Sequence, residues 1–185
     1  MLIFKNSFRK IWKSKGRFLS LILIVILGTS FFAGVRETAS DMIKTLDNYY
    51  DETNLYDFKI VSTMGLTNDD IKSLEEIDGI KKVEGAYSFD TLIDGNAVKV
   101  SAISNISKPI LVDGRMPQNN SECLGEDGVY EIDDSITIED DTYLNNNTCK
   151  IVGTINSSSY IYENKGISTV GDGKLDSLIY TPKDN

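Results

Sequence analysis

Two cysteines, Cys123 and Cys149, are the residues whose type most directly suggests chemistry. Outside the cytoplasm such a pair can form a disulfide, and closing a loop of about 26 residues would stabilise the fold by roughly 3 kcal/mol. The alternative is a pair of free, buried thiols. At the level of the sequence both interpretations are open.

Several acidic residues after Cys123 could supply oxygen ligands to a calcium ion. They are Glu126, Asp127, Glu131, Asp133, Asp134, Glu139, Asp140 and Asp141. Their spacing does not fit the D-x-[DN]-x-[DN]-G pattern of a calcium-binding loop. We therefore expect a solvated acidic surface and no metal site.

The chain has no histidine. This excludes Ser-His-Asp and Cys-His catalysis, HExxH zinc sites and all imidazole metal ligands. A glycine-rich GxxxxGK[ST] loop is also missing, so the chain has no visible means of hydrolysing ATP. We expect a protein that is not an enzyme and that holds no cofactor.

A tight turn is predicted at Asp113-Gly114-Arg115-Met116-Pro117. Gly114 can adopt a positive φ there, and Pro117 stiffens the exit from the turn. We interpret Gly114, Arg115 and Pro117 as structural turn residues.

These residues must be positioned by larger elements, and the most prominent is an uncharged stretch at residues 18–35. As a helix it would span about 27 Å, close to the hydrocarbon thickness of a bilayer. We interpret it as a transmembrane helix. A cleaved signal peptide is the alternative, but Phe31 stands where a small residue would be expected at the cleavage site.

Residues 1–17 contain six basic residues and no acid, so all the excess negative charge of a chain with net charge −9 lies after them. Their apolar residues share one helical face, which predicts a basic amphipathic helix lying on membrane lipid. The positive-inside bias predicts that this helix lies on the cytoplasmic side of the cell membrane and that residues 36–185 are extracytoplasmic. The acidic exterior argues against a nucleic-acid partner.

Residues 36–56 keep a helical period with no proline or glycine between them and the membrane span, which predicts an extracytoplasmic stalk helix. Residues 57–108 predict an α+β subdomain of strand, helix, strand and strand. The strands are expected at 57–62, 83–93 and 97–103, and the helix follows an N-cap at Thr67. The apolar stripe that this helix would bury is Ile71, Leu74 and Ile77.

Residues 109–185 predict a mostly β subdomain, because short β-like runs replace the helical period. The runs are residues 110–112, 122–124, 135–138, 150–155 and 177–180. The predicted fold class is therefore α+β, with a single transmembrane helix and stalk before two extracytoplasmic subdomains.

The order of these features resembles the N-terminal part of FtsX/MacB-type ABC transporter permeases, including the long permeases of Firmicutes. Besides the basic start and the membrane helix, four stretches carry the resemblance: Asp113 to Pro117 with Glu122, Lys150 to Ile155, Leu66 to Glu84, and Ser159 to Ile161 with Gly166 to Gly173. The similarity covers nearly the whole chain through short motifs.

The resemblance implies a bacterial permease subunit with a MacB-like periplasmic core domain. Such a subunit works with a separate cytoplasmic ABC ATPase and a second permease subunit. Residues 36–54 would relay ATP-driven motion to the exterior, for export or envelope signalling. Family permeases carry further membrane helices after this domain, so we expect the chain to be an N-terminal fragment.

A function of a different class stays open beside this one. A single-pass protein could use its acidic ectodomain to bind a ligand or partner as a sensor or adhesion module. That interpretation requires the natural protein to end at residue 185.

Overall fold

A computed structural model describes residues 14–62, 64–138, 144, 147–160, 170 and 174–184 of the chain. It contains helices α1 (Lys15–Thr53) and α2 (Asn68–Glu75). The strands are β1 (Ser88–Ile93), β2 (Asn96–Ala102), β3 (Ile110–Gly114), β4 (Glu122–Glu126), β5 (Ser135–Thr137), β6 (Thr148–Asn156) and β7 (Ser177–Thr181). The α+β class is confirmed. Most of the amphipathic helix predicted for residues 1–17 lies outside the described residues.

Helix α1 runs for 39 residues without interruption, through the predicted span and the predicted stalk. It is long and apolar enough to cross a membrane, and its apolar window is not buried against the rest of the chain. The hydroxyls of Ser20, Thr29, Thr38, Thr45 and Thr53 bond to carbonyls one turn back, as Thr29 Oγ1 does to Val25 O at 2.8 Å. These bonds satisfy groups that would be costly in hydrocarbon.

All seven strands belong to one mixed sheet in the order β1-β2-β7-β4-β6-β3, and β5 also pairs with β6. The predicted hairpin is present: β1 and β2 are antiparallel, and Asp94 and Gly95 between them both have positive φ (52° and 84°). Such a turn matches the twist of the two strands. The five β-like runs predicted after residue 109 all contribute strands.

Two apolar clusters hold the sheet. One includes Val98, Val100, Cys123, Cys149, Ile151 and Ile179. The other includes Leu124, Ile155, Leu175, Leu178 and Tyr180. Consecutive residues of β7 belong to different clusters, because successive side chains of a strand point to opposite faces. Burying each large aliphatic side chain contributes about 1.5–3 kcal/mol.

The prediction of a strand at 57–62 is wrong. These residues form neither helix nor strand, and Phe58 and Val61 are 84% and 77% exposed. Their alternating pattern suits a half-buried strand, but β1 pairs with β2 and no described strand pairs with residues 57–62. A strand exists only where a neighbour supplies its hydrogen bonds.

Helix α2 begins where predicted. Thr67 is its N-cap and forms a capping box with Asp70, whose carboxylate accepts the Thr67 N–H at 2.8 Å. The burial predicted for its apolar stripe is only partial: Ile71 and Leu74 are half-buried and Ile71 lies over Gly85, whereas Ile77 is 52% exposed. The capping box fixes the start of this helix, and the half-buried Ile71 and Leu74 give it a partly packed face.

The sheet runs through both predicted subdomains. Strand β2, from residues 57–108, pairs in parallel with β7, from residues 109–185. Tyr49–Asn185 forms one compact unit, and Met1–Asn48 forms the other.

Candidate functional site at the end of helix α1

The C-terminal end of α1 is closed by a motif built from its own backbone. Asn54, just past the helix, has a φ of 51°, and the next N–H, that of Leu55, reaches back to Tyr50 O at 3.0 Å. The N–H of Asn54 bonds to Asp51 O at 3.2 Å. This Schellman arrangement satisfies carbonyls that a helix end otherwise leaves unpaired. It gives the chain a fixed direction as it leaves the helix.

The loop between β2 and β3, residues 103–109, completes the helix end; we call it the capping loop. The N–H of Lys108 donates to Thr53 O at 2.9 Å, and the N–H of Ser107 donates to Asn54 O at 2.8 Å. Thr53 is 1% exposed. The carbonyls of Thr53, the last residue of α1, and of Asn54 therefore bond to backbone that leads directly into two strands of the sheet.

Two side chains reinforce these backbone bonds. Asn54 Nδ2 donates to Asn105 O at 3.1 Å, and Ser107 Oγ accepts the Tyr56 N–H at 3.2 Å. Ser107 itself has a φ of 55°, a conformation that serine rarely adopts. This conformation lets both its N–H and its hydroxyl bond to the residues that follow α1.

The capping loop is held by the sheet and by Glu84. Ile103 N–H donates to Thr181 O at 2.9 Å, at the end of β7. Asn105 N–H donates to Glu84 Oε2 at 3.1 Å. The Glu84 carboxylate also lies 3.7 Å from Lys82 Nζ and 3.8 Å from Lys183 Nζ. Hydrogen bonds thus connect α1 to β2, β3 and β7 through a single loop.

No family model, curated protein or solved structure matches this chain. The junction consists of backbone groups, amides, the Ser107 hydroxyl and the Glu84 carboxylate, and among these described groups no nucleophile contacts a base. Such an arrangement fixes the last residues of α1 against the capping loop.

Uncharged phenols lie close to the junction. Tyr180 on β7 is 5% exposed, and its hydroxyl pairs with Ser157 Oγ at 2.8 Å. Burial raises the pKa of Tyr180, and the electrostatic influence of Tyr56 and Tyr49 raises it further. Burial also raises the pKa of Tyr160. Near neutral pH, Tyr160 and Tyr180 add packing and dipoles to this region but no charge.

Cys123 and Cys149 are joined by a disulfide with Sγ atoms 2.09 Å apart. Cys123 lies on β4 and Cys149 on β6, two strands that pair in parallel. Both residues are buried, at 0% and 2% exposure. The bridge therefore belongs to the core of the sheet and is closed to a protein redox partner in the folded state.

Asp113 and Gly114 of the predicted turn are the last two residues of β3, and residues 115–117 follow them as irregular backbone. Gly114 has a φ of 80°, and a Cβ atom there would lie 2.4 Å from Val152 O. Arg115 leaves the turn and forms a two-pronged ion pair with Glu122, with N–O distances of 2.7 and 2.6 Å. Pro117 is half-buried and follows Met116, which packs at the edge of the core. The structural role of Gly114, Arg115 and Pro117 stays a prediction.

The Arg115 guanidinium holds the Glu122 carboxyl in its charged form. Hydrogen bonds from Arg115, and one from the Gln118 N–H at 2.8 Å, lower the pKa of Glu122 to about 2. The sequence placed Glu122 after the turn but did not reveal this pair. The sequence feature that could have indicated the pair is the position of a cation, Arg115, before Pro117 and of an anion, Glu122, shortly after it.

The acidic residues considered as calcium ligands are dispersed among separate interactions. Glu126 Oε2 accepts the Leu178 N–H at 3.1 Å, and Asp133 pairs with Lys150 at 2.7 Å. Among the described residues, no group of three or more acids or cysteines could hold a metal ion. Residues 139–141 lie outside the described residues.

Sequence reasoning missed the capping loop altogether. Pro109 marks its end, because a residue before proline is restricted to extended conformations, which sets the backbone at Lys108. The positive φ of Ser107 has no comparable signal, since glycine or asparagine is the usual residue in that conformation.

Proposed function

We propose that the chain is the N-terminal part of a permease subunit of an FtsX/MacB-type ABC transporter. In this proposal α1 relays ATP-driven motion of a separate cytoplasmic ATPase to an extracytoplasmic domain, for export or envelope signalling. The observation that carries the proposal is the pair of backbone hydrogen bonds from Ser107 and Lys108 to Asn54 and Thr53.

Mechanical relay requires stiffness along the whole path. Helix α1 has no break between residues 15 and 53, whereas a glycine- and serine-rich linker would absorb a displacement as random motion. Beyond its end the displacement reaches the capping loop, which continues into β2 and β3. Because these strands belong to one sheet, a movement of the helix end would reorient the sheet as a body.

The disulfide supports the proposed compartment. Structural disulfides persist in oxidising surroundings outside the cytoplasm. The six basic residues before the span favour a cytoplasmic N-terminus. We therefore propose that residues 36–185 are extracytoplasmic and that residues 18–35 cross the cell membrane.

The finer organisation belongs to the same proposal. Residues 57–108 would act as the α+β part of a MacB-like core domain and residues 109–185 as its β-rich part. The proposed partners are membrane lipid, the cytoplasmic ABC ATPase and a second permease subunit. The acidic domain leaves nucleic acid out of this set.

Topology is the first test. Protease added to intact spheroplasts should degrade the chain beyond residue 57 and spare the basic N-terminus. Purification in mild detergent from native membranes should then retain an ABC ATPase, recognised by its ATP hydrolysis. A protein that is exposed outside but carries no ATPase would support the single-pass sensor or binding module instead.

Relay itself can be tested on the complex in liposomes. An environment-sensitive fluorophore on Lys108→Cys keeps the backbone N–H that bonds to Thr53 and should report ATP addition. Replacing Thr38 and Ala39 by proline should break the stalk and abolish the signal, because proline interrupts helical hydrogen bonding. Serine at both positions is the matched control. An ATP response that survives the proline variant would overturn the relay.

A further inference from the structure

The segment that leaves α1, residues 55–61, is the most exposed apolar stretch between the two helices; we call it the exit segment. Phe58, Ile60 and Val61 are 84%, 57% and 77% exposed. Its sequence alternates as a strand does, yet it forms no strand. An exposed group of large apolar side chains of this kind marks an interaction surface.

The backbone of the exit segment is available for pairing. Within the described part of the chain, the backbone groups of residues 57–61 form no hydrogen bond. Two earlier N–H groups are already used: that of Leu55 bonds to Tyr50 O, and that of Tyr56 bonds to Ser107 Oγ. A pairing strand would therefore bond from residue 57 onward.

The sequence of the exit segment is complementary to itself. If two copies run antiparallel about a two-fold axis at Phe58, residues whose numbers sum to 116 face each other. Asp57 of each copy then lies opposite Lys59 of the other. Tyr56 faces Ile60, and Leu55 faces Val61. Opposite charges and aromatic–β-branched pairs are favourable cross-strand neighbours.

We propose that the exit segment pairs with the exit segment of a second copy of this chain as a two-stranded antiparallel ribbon centred on Phe58. The proposal rests on the proposed function only in placing two copies of the chain in one membrane. It adds to that function the surface through which the two permease subunits meet.

The used N–H of Tyr56 selects between the two possible hydrogen-bonding patterns. If the two Phe58 residues formed a hydrogen-bonded pair, the next hydrogen-bonded pair of the ladder would be Tyr56 with Ile60, and it would need the N–H of Tyr56. If the two Phe58 residues form a non-hydrogen-bonded pair, Asp57 of each copy exchanges backbone hydrogen bonds with Lys59 of the other. The backbone N–H and C=O groups of both residues are available for these bonds. The Phe58 side chains then approach most closely, since Cα atoms of such pairs are about 4.5 Å apart.

The electrostatics of Lys59 agree with this pairing. Partial burial and the nearby Lys99 ammonium lower the pKa of Lys59. Asp90, the carboxylate that opposes this effect, already contacts Lys99 in an ion pair. Asp57 from the second copy would bring Lys59 a carboxylate that has no other cation to satisfy within the described residues.

Cysteine cross-linking in native membranes tests the two-fold axis. Phe58→Cys adds one thiol to a chain whose other cysteines are paired, and mild oxidation should convert it to a disulfide-linked dimer. Val61→Cys is the control, since the two copies of residue 61 would lie roughly 20 Å apart. Met64→Cys controls for random collision, because Met64 is 97% exposed. Cross-linking of Phe58→Cys no faster than either control would overturn the proposal.

Charge reversal tests the register. In the Phe58→Cys background, Asp57→Lys or Lys59→Asp alone places like charges opposite each other twice and should slow cross-linking about tenfold. The double variant D57K/K59D restores opposite charges and should recover the rate. A double variant as slow as the single ones would overturn the register. Circular dichroism and a count of free thiols check that every variant folds.

ATPase retention, measured on the same samples, separates this inference from the proposed function. Failed cross-linking with the ATPase retained would overturn the pairing and leave the transporter proposal standing. Specific cross-linking without an ATPase would support the pairing in a dimeric protein of another function.

Discussion

Lys108 donates its backbone N–H to the carbonyl oxygen of Thr53 at 2.9 Å, which joins the last residue of α1 to a loop of the sheet. Both partners are backbone atoms, so most side-chain substitutions at either residue leave the bond intact. The orientation of the helix end is therefore a property of the loop conformation, set by Ser107 before the bond and Pro109 after it. Substitutions that change local backbone preferences should disturb the junction most.

Asn54 offers the clearest test of that expectation. Asn54→Ala should destabilise the domain by about 1–2 kcal/mol, because it loses the bond to Asn105 O and places alanine at positive φ. Asn54→Gly loses the same bond but tolerates the backbone, so its cost should be smaller. Urea unfolding followed by tyrosine fluorescence measures both. Equal losses would show that the helix end does not depend on this conformation.

Glu84 should stabilise the capping loop by accepting the Asn105 N–H. Glu84→Ala removes the acceptor and should cost about 1 kcal/mol in the free energy of unfolding. Glu84→Gln keeps an oxygen at the same position and loses only the charge, which contributes little at ion-pair distances of 3.7 and 3.8 Å. If the glutamine variant were as unstable as the alanine variant, the charge would be the important contribution.

The Cys123–Cys149 bridge should contribute substantially to domain stability. Replacing both cysteines by alanine removes the cross-link between β4 and β6 and should lower the free energy of unfolding by about 3 kcal/mol. Because both residues are buried, reductant should cleave the bridge in the native protein much more slowly than in urea. Rapid reduction of the native protein would contradict the burial of the two sulfur atoms.

Local signals predicted much of the fold. Thr67 with Asp70 identifies the start of α2, and Asp94-Gly95 identifies the hairpin, because capping and turn formation involve residues close in the chain. Runs such as that in β6 identify strands by their β-branched residues. Each of these features depends on interactions within a few residues.

The arrangement of the elements could not be predicted in the same way. Strand β2 lies beside β7 although about 75 residues separate them, because pairing depends on burial across the whole sheet. Phe58 and Ile60 show the opposite error: their alternation suits a strand, but the domain provides no neighbour for it. The capping loop was missed because backbone groups, which the residue types do not reveal, make its main contacts.

The pKa of Glu122 gives a pH dependence of definite sign. The folded-state value of about 2 lies below the ordinary value of 4.5, so the folded state favours the charged carboxylate. The resulting stabilisation is fully present above about pH 4.5 and is lost as the pH falls toward 2. Glu122→Gln should flatten the stability profile in this window. An unchanged profile in the variant would show that other carboxylates dominate acid unfolding.

Gly114 should be the least replaceable residue of the predicted turn. Its φ of 80° disfavours any side chain, and a Cβ would lie 2.4 Å from Val152 O and 2.7 Å from the Gly153 Cα. Gly114→Ala must therefore distort β6, from which Val152 also accepts the Arg115 N–H. We expect a loss of about 3 kcal/mol or more in the free energy of unfolding, measured in urea.

Gly128 separates the two causes of that loss. Its φ of 79° is nearly identical, but a Cβ there meets no atom within 4 Å. Gly128→Ala should therefore lower the free energy of unfolding only by the cost of placing a side chain at positive φ, about 1–2 kcal/mol. The difference between the two variants measures the close approach of the turn to β6. If the two losses in the free energy of unfolding were equal, the backbone at Gly114 could move away from β6 at no cost. The close contact would then not hold Arg115 in position to pair with Glu122.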